Sequence, residues 1–553
     1  MNRIYLVLFC IVCFGKSIAQ TIDKSKLFPP FIETKAPEKK IQIQKTDSLI
    51  YENWEWGEYR KLIGNVQLKD SSAYMWCDSA ILDITANYLT AYGNPLHLKN
   101  GDSIDIWGNF LEYFGDQKQA RLTGNAIMKD KKMVLTAPEI YYNTASDIGY
   151  YNTGGRMVKD ETILTSQIAY YYHQNGEAVF YKNVVLNTKE TTIVSDSMRY
   201  NINDEIVYFI AKTKITNKDG NIIYTDKGSF DTKTEKATFD KNTAITKDNS
   251  IIKGDTINYD NKTKNAIAQG NVSFQDTSEN VTILSGHSLY IDKTQYVRAT
   301  KDPLLINVSV NKEDTIQKQD TMFMSADTLI SYKIAHQTFD EDSTIQIDSL
   351  KIMHAYHHTK MFRRNLSAVC DSLYYTQLND VFKLYYNPIL WIDSLQLSGD
   401  SIYIYSENDK ISHISVFGNA FIIHWVENEI FNQIKGKIIN IFIRDNKIVL
   451  MDVDGSSESI YFIKDDNKGY IGGNQSTSGN IAIYFKNGEI DRLKLKNAPE
   501  ATFTPMKKIS PPNYRLSGFN WQWQIKPKNK YDIIRNKKQY DDFVKSNSLF
   551  YEK

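Results

Sequence analysis

The chain has 553 residues, of which 66 are Lys or Arg and 65 are Asp or Glu, so its formal net charge is +1 at neutral pH. Nucleic-acid-binding domains normally carry a basic excess, and this balance therefore predicts no nucleic-acid partner. The sequence also lacks the glycine-rich phosphate-binding motif and the nucleophile-elbow motif. It therefore predicts neither a nucleotide-driven motor nor a serine hydrolase.

Residues 1–19 have the pattern of a secretory signal peptide. Arg3 precedes an apolar run over 4–14, and residues 17–19 form a small-x-small cleavage site. The run is too short to cross a bilayer as a helix. Loss of Arg3 and Lys16 with the signal would lower the net charge by two, to −1, and we expect no transmembrane segment after signal removal.

Residues 20–50 predict a polar linker, because Pro29, Pro30 and Pro37 interrupt any periodic pattern. From about Tyr51 the chain is rich in Tyr, Ile, Val, Thr and Phe, which are the residues favoured in strands. Short clusters of Asp, Asn, Gly and Lys separate these stretches and predict turns. The composition and its spacing therefore predict an all-β chain.

A Gly-Asn pair recurs along the sequence at a nearly constant spacing. Between positions 64 and 301, successive copies are about 30 residues apart, a period that is typical of stacked repeat proteins. Complete copies stand at Gly64-Asn65, Gly124-Asn125, Gly270-Asn271 and Gly418-Asn419, and degenerate copies include Gly93-Asn94, Lys182-Asn183 and Lys301-Asp302.

Each Gly-Asn pair lies inside a predicted strand. Residues 120–152 contain two extended runs separated by turns, and Gly124-Asn125 falls within the first run. A glycine inside a strand often marks a bulge or a sharp bend. We therefore expect each period to supply two antiparallel strands, one of which bends at Gly-Asn and contributes to two facing sheets. Apolar and polar residues alternate after each pair, so one face should be apolar and the other wet.

The periodic pattern divides the chain into regions. We expect a first β-repeat domain over 51–310, a junction over 311–359 and a second β-repeat region over 360–505. Residues 506–553 form a proline-containing tail, in which a short helix is predicted near Lys537 to Lys545.

Few side chains in the sequence suggest chemistry. His354 and His358 would share one face of a strand and His357 the other, a spacing that does not favour a metal site. We therefore predict no enzyme activity, no metal and no cofactor. Aspartates followed by Ser or Thr recur in the repeats, and a slot filled this often is predicted to stabilise the backbone. These aspartates are Asp78, Asp102, Asp196, Asp255, Asp371 and Asp400.

Taken together, these features resemble the OstA-like family of lipopolysaccharide-transport proteins, of the LptA or OstA type. The resemblance is carried by the signal peptide, the repeated Gly-Asn pairs with an alternating strand after each, and the phrase Cys-Asp-Ser-Leu-Tyr at 370–374. It covers residues 50–310 well and 345–505 more loosely. The tail segment 516–521 is similar to the tails of the family's Bacteroidetes members.

The resemblance implies an open, V-shaped β-jellyroll or β-sandwich of stacked antiparallel strands, in one array or two consecutive ones. It also implies a periplasmic protein, secreted across the inner membrane or associated with the outer membrane, that shields the acyl chains of lipid A in an apolar groove. Its partners would be lipopolysaccharide and other transport proteins joined by pairing of strand edges. An ordinary closed core is the alternative for the expected groove residues. These residues are Val66, Leu68, Ala126, Met128, Val184, Leu186, Val272, Phe274, Ala420 and Ile422.

Two other functions fit the same pattern. A secreted structural or adhesive β-repeat protein that binds glycans would also have stacked strands and many tyrosines. A polysaccharide-cleaving enzyme on a β-solenoid would need a cleft with paired carboxylates, and no pair in this sequence stands out from the others.

Overall fold

The computed structural model of the chain describes residues 40–55, 57–240, 242–310, 319–339, 345–407, 410–465, 469–486 and 489–547. The predicted signal peptide, residues 1–19, and most of the predicted linker lie outside these ranges. Strands make up 71% of the structure and helices 5%, so the prediction of an all-β fold of stacked strands is confirmed. No helix in the described ranges is long and apolar enough to cross a membrane.

The described residues form one hydrogen-bonded array of antiparallel strands. The first half of the array contains β1 (Gln42–Lys45), β2 (Ser48–Trp54), β3 (Gly57–Asp70), β4 (Ala73–Asp83), β5 (Tyr88–Asn100), β6 (Ile104–Phe114), β7 (Gln119–Asp130), β8 (Met133–Asn143), β9 (Ile148–Tyr151), β10 (Gly155–Lys159), β11 (Thr162–Ser166), β12 (Ile168–Tyr172), β13 (Glu177–Asn187), β14 (Thr191–Asn201), β15 (Ile206–Phe209), β16 (Thr213–Asn217), β17 (Ile222–Thr225), β18 (Gly228–Asp231), β19 (Lys236–Phe239), β20 (Thr243–Lys247), β21 (Ser250–Gly254) and β22 (Thr256–Asp260).

The array continues without a change of architecture to a short C-terminal helix. Its second half contains β23 (Asn265–Asp276), β24 (Val281–Ile291), β25 (Tyr296–Thr300), β26 (Leu304–Val310), β27 (Gln319–Ser325), β28 (Thr328–Phe339), β29 (Ile345–Arg363), β30 (Leu366–Thr376), β31 (Val381–Tyr385), β32 (Ile389–Ile392), β33 (Leu395–Ser398), β34 (Ser401–Glu407), β35 (Lys410–Glu427), β36 (Ile430–Arg444), β37 (Lys447–Lys464), β38 (Tyr470–Lys486), β39 (Glu489–Lys496), β40 (Glu500–Pro505) and then α1 (Lys537–Ser546).

The long strands bend at their Gly-Asn pairs. In β3, Gly64 and Asn65 have φ angles of 82° and 46°, and together they oppose a single residue of β4 between Ile63 and Val66. Two successive left-handed residues turn the strand sharply, and Gly and Asn adopt this conformation at the lowest cost. The bend expected inside the strand is therefore present. The same pair of positive φ angles occurs at Gly124-Asn125, Lys182-Asn183, Gly270-Asn271, Lys301-Asp302 and Gly418-Asn419.

The bends divide the array into two facing layers. We call layer 1 the strand segments that stack on residues 57–63 of β3, and layer 2 those that stack on residues 66–70. The two halves of β4, 79–83 and 73–77, pair with these segments in turn. Shorter strands such as β9 and β10 lie wholly in one layer, because the chain leaves the ladder at the bend.

The hydrophobic core lies between the two layers. One contiguous apolar cluster runs from Ile41, the residue before β1, to Ile483 in β38. Inward-facing residues such as Leu62 and Leu68 are fully buried, whereas their neighbours in sequence face outward. Burial of this apolar surface is the main term that stabilises a stacked array of this kind.

The C-terminal tail runs back along the outer face of layer 2. Leu516 packs in an apolar cluster with outward residues of the last strands, including Phe421. Further along the tail, Gln396 Nε2 donates a hydrogen bond to the carbonyl oxygen of Asn520 at 2.7 Å. The tail therefore buries an outer face that is solvated in the N-terminal half of the array.

The helix predicted near Lys537 to Lys545 is present as α1 and ends the described tail. Its Tyr540 and Phe543 pack against the outward face of β26 and β27. Gln539 Nε2 donates hydrogen bonds to the carbonyl oxygens of Val272 at 3.0 Å and Ser285 at 2.9 Å. Val272 and Ser285 pair with each other next to the bend, so the helix adds hydrogen bonds to the backbone there.

The predicted region boundaries differ from the observed strands in two places. Strands begin at Gln42, inside the expected linker 20–50, because the polar β1 pairs through its backbone with residues 67–69 of β3. The expected junction 311–359 contains β27, β28 and most of β29, and β28 pairs with both β25 and β29. The strands in both places are polar, so the alternation of apolar residues did not predict their pairing.

Candidate functional site

A hydrogen bond between an Asn side chain and an Asp carboxylate recurs at several bends of this chain. Asn65 Nδ2 donates a hydrogen bond to Asp47 at 2.7 Å, and Asn271 Nδ2 donates one to Asp255 at 2.9 Å. Each carboxylate belongs to the neighbouring rung, so the pair holds two adjacent bends in line. Of the recurrent aspartates, Asp255 and Asp400 therefore act at the bend through the Asn side chain, and Asp78 accepts a hydrogen bond from the backbone N–H of Asn94.

Two expectations about polar residues were wrong. Asp102 lies in the turn between β5 and β6, away from any bend. His357 and His358 occupy the Gly-Asn position of β29, with φ angles of 61° and 51°, so His354 and His358 do not share a simple strand face. His358 Nδ1 instead lies 2.8 Å from Asp327. The described part of the chain contains no group of three or more potential metal ligands.

All ten expected groove residues lie on the inner face of layer 2 and belong to the one apolar cluster between the layers. Their exposed fractions run from 0% to 8%, with Phe274 the most exposed. The structure therefore brings these residues together, and at these positions the two layers are packed against each other. Sequence reasoning left out the layer 1 residues that face them, such as Leu111 and Ile140, although the same alternation occurs before each bend.

A row of polar contacts joins the free ends of the two layers on the side opposite the bends. We call it the polar seam. In each contact a side chain at the tip of layer 2 meets one at the tip of layer 1. Its members are Asp70 with Tyr113 and Lys118, Asn100 with Tyr142 and Asp147, Asp130 with Tyr171 and His173, Lys159 with Glu205, Asn217 with Asn261, Lys247 with Asp292, and Glu279 with Lys351.

Some contacts of the polar seam are fully shielded from solvent. The Asp70 side chain is fully buried and accepts hydrogen bonds from Tyr113 at 2.8 Å and from Lys118 at 2.7 Å. Burial raises the pKa of the Tyr113 and Tyr142 hydroxyls well above their usual value, so both remain protonated donors. A buried ion pair of this kind resists separation, because each charge would be left without a partner.

A regular spacing of tyrosines in the sequence indicates the polar seam, although the sequence analysis did not use it. Tyr113, Tyr142, Tyr171 and Tyr200 are 29 residues apart and lie at inward tip positions of layer 1. Their spacing equals one repeat, as expected for residues that occupy the same place in successive rungs. A tyrosine repeated at the period of the array indicates a side chain that is buried at its ring and hydrogen-bonded at its hydroxyl.

Towards the C-terminal end, apolar side chains occupy the inward tip positions instead. These residues, which we call the apolar mouth, are partly exposed and pack against the core cluster. They are Ile392 and Leu395 in layer 2 and Ile411, Ile443, Ile448, Phe485 and Ile490 in layer 1.

One side chain beside the apolar mouth, His424, is poorly solvated. His424 pairs with Leu395 across β33 and β35 on the inner face of layer 2. Burial lowers the pKa of His424 below its usual value, so the ring is neutral at pH 7. The apolar mouth thus presents hydrocarbon and an uncharged ring to any molecule that enters between the layers.

The two ends of the array expose unpaired strand edges within the described part of the chain. There, β1 and β2 pair with β3, and β39 and β40 pair with β38. On β2, Leu49, Ile50, Tyr51 and Trp54 have exposed fractions between 46% and 53%. An exposed edge with apolar side chains is suited to the addition of a strand from a partner.

The two cysteines of the described residues lie in this interior. Cys77 and Cys370 are buried free thiols, and burial raises the pKa of both to about 12. Thiols protonated to this degree are weak nucleophiles and weak metal ligands at neutral pH. The arrangement is therefore suited to holding apolar groups and offers these thiols no role in chemistry.

Comparison with known proteins gives one family. The model of a family described as OstA-like protein matches residues 38–196 and, in an overlapping second segment, residues 182–255. These residues correspond to the strands from β1 to β21 and contain most of the polar seam. No curated protein matches the chain.

Proposed function

Since the family model described as OstA-like protein matches residues 38–255, we propose that the protein binds lipopolysaccharide and carries it during outer-membrane biogenesis. The acyl chains of lipid A lie between the two layers, and the sugars remain in water. The protein works in the periplasm, joined edge to edge to other transport proteins, and catalyses no reaction.

The observation that carries this proposal is the continuous apolar cluster between the layers. Each methylene that leaves water for an apolar surface gains about 0.8 kcal/mol. A lipid with several acyl chains therefore needs shelter along its whole path through water. An apolar interior between two layers can provide such shelter.

The bends support the proposal, because they make the two layers parts of the same strands. A lipid that enters between the layers has to displace side-chain contacts such as those of Ile422, which is 1% exposed. The layers stay connected through the bend while their tips separate. The exposed edges of β2 and β40 would join the array to partners by strand addition.

Glycan binding is the second candidate function. Trp76, His97 and Trp107 form a ladder on the outer face of layer 2, with ring centroids 4.9 Å apart in each step. Aromatic rings often stack on sugars. The rings in this ladder stack on one another, however, which leaves mainly their edges for a ligand.

A comparison of intact and deacylated lipopolysaccharide separates the two functions. The full mature chain is incubated with each form, and the bound fraction is measured by sedimentation or native mass spectrometry. We expect binding of the intact lipid and loss of binding when the acyl chains are removed. Equal binding of the two forms would favour the glycan function, and binding of neither would contradict lipid carriage.

A further inference from the structure

The interior is closed differently along its length. The polar seam closes the N-terminal part of the array, from Asp70 to the contact of Glu279 with Lys351. The apolar mouth lies in the C-terminal part, from Ile392 to Ile490. On the basis of the proposed function, we propose that the acyl chains enter and lodge at the apolar mouth, between β32 and β39, while the seam keeps the N-terminal interior shut.

The polar seam opposes entry because separation would break ion pairs and hydrogen bonds between side chains that are largely buried. Separation of the tips at β3 and β6 would leave the fully buried Asp70 without Lys118 and Tyr113. The same holds at Lys159, which is 9% exposed and lies 2.6 Å from Glu205. An acyl chain cannot replace either partner, because hydrocarbon neither donates nor accepts hydrogen bonds.

The apolar mouth favours entry for the opposite reason. Ile443 and Ile448 pair with each other across the β36–β37 hairpin and face the interior. Both are partly exposed, so an inserted hydrocarbon chain would complete their burial. Opening at these tips breaks dispersion contacts that the inserted chain replaces.

The occupant is better matched by a hydrocarbon chain than by a peptide strand. At the β36–β37 tip the backbone is already paired, with Arg444 opposite Lys447, so the hairpin offers an incoming strand no ladder. The inward side chains supply apolar contact alone, and His424 behind them is neutral at pH 7. Acyl chains need only such contact.

Site-specific photo-crosslinking tests the position of the lipid. A photoreactive residue is placed singly at Ile411, Ile443 or Ile448 in the apolar mouth, and at Leu68, Met128 or Leu186 behind the polar seam. Each full mature chain is irradiated with lipopolysaccharide. We expect strong labelling at the mouth and little behind the seam.

Equal or stronger labelling behind the seam would contradict the proposed position of the acyl chains at the apolar mouth. It would leave the proposal of lipid carriage intact. Absence of label at every mouth position, in chains that still bind intact lipopolysaccharide in solution, would also overturn it. If the chains bind no lipopolysaccharide in solution, both proposals are contradicted: that the protein carries lipid and that the acyl chains lodge at the apolar mouth.

A pair of adjacent substitutions provides a second test that does not depend on crosslinking. Ile443→Glu places a charge inside the mouth, whereas Phe442→Glu places one on the outer face of the same strand, where Phe442 is 38% exposed. We expect Ile443→Glu to weaken lipopolysaccharide binding about tenfold or more, because a charge without a partner is costly beside hydrocarbon. Phe442→Glu should bind as the parent does. Circular dichroism should show that both variants are folded. Equal affinities of the two folded variants for lipopolysaccharide would contradict the proposed position of the acyl chains at the apolar mouth.

Discussion

At the scale of single residues, the bend decides the shape of every rung. Gly270 and Asn271 have φ angles of 69° and 45°, a conformation that most side chains resist. The Asn side chain then bonds Asp255 of the neighbouring rung. Where Gly and Asn are absent, as at His357-His358, the same backbone is held by other pairs with aspartate.

Substitution of Gly270 by valine should therefore destabilise the rung. A Cβ atom at this position would lie 2.6 Å from an Asp255 oxygen, and a β-branched residue in this backbone region costs about 1–3 kcal/mol in addition. Hydrogen exchange of β22 and β23 amides measures the local loss. Gly220→Val is the matched control, because Gly220 has φ +81° and nothing within 4 Å of its Cβ position. Equal effects of the two substitutions would show that the contact with Asp255 is unimportant.

At the scale of strands, apolar and polar residues alternate in both halves of the array, but the interior between the layers is closed by polar contacts in one half and by apolar contacts in the other. At the inward tip positions, strands in the first half carry buried polar side chains such as Asp70 or Lys159, whereas several strands from β32 to β39 carry apolar ones such as Ile392. The difference at one tip position changes what it costs to separate the layers. Polar tips need their partners, whereas apolar tips need only contact.

Removal of one seam partner should reveal this cost. Asp70→Ala leaves Lys118 partly buried without its carboxylate, and we expect a loss of about 3–5 kcal/mol in the free energy of unfolding. Glu190→Ala is the control, because the side chains of Lys218 and Glu190 are 62% and 41% exposed and such pairs contribute about 0–1 kcal/mol. Urea unfolding of both variants provides the measurement, and similar midpoints would contradict a stabilising seam.

At the scale of the whole molecule, the tail makes distant rungs depend on one another. In a simple stacked array each rung contacts only its neighbours. Here the segment from Leu516 to α1 lies across the outer face of layer 2 from the last strands back to β23. The C-terminal half is therefore covered on one outer face, and the N-terminal half is not.

Truncation after Lys528 should loosen only the rungs beneath α1. Removal of Tyr540 and Phe543 exposes Leu304 and Ile306, so amide exchange in β24, β26 and β27 should become faster by at least about tenfold, as expected for the loss of about 1.4 kcal/mol or more. Exchange in β3 to β8 should not change. Uniform acceleration throughout the array would mean that the helix is needed for the whole fold.

The sequence by itself determined the repeat, the strands and the bend. Period-2 alternation and the Gly-Asn spacing are local properties, and the conformations they require are also local. The same alternation correctly put Val66 and Met128 on an inner face. Polar strands such as β1 escaped this reasoning, because backbone pairing with β3 does not depend on apolar side chains.

Only the tertiary structure decided how the interior is closed. Asp70 and Tyr113 are 43 residues apart, and nothing local to either residue shows that the fold joins them. Burial of the ten expected residues depends on a second layer contributed by other segments of the chain. The same is true of the tail, in which Gln539 bonds Val272 at a separation of 267 residues. Contacts of this kind form when layers and tail pack, and their partners are set by the path of the whole chain.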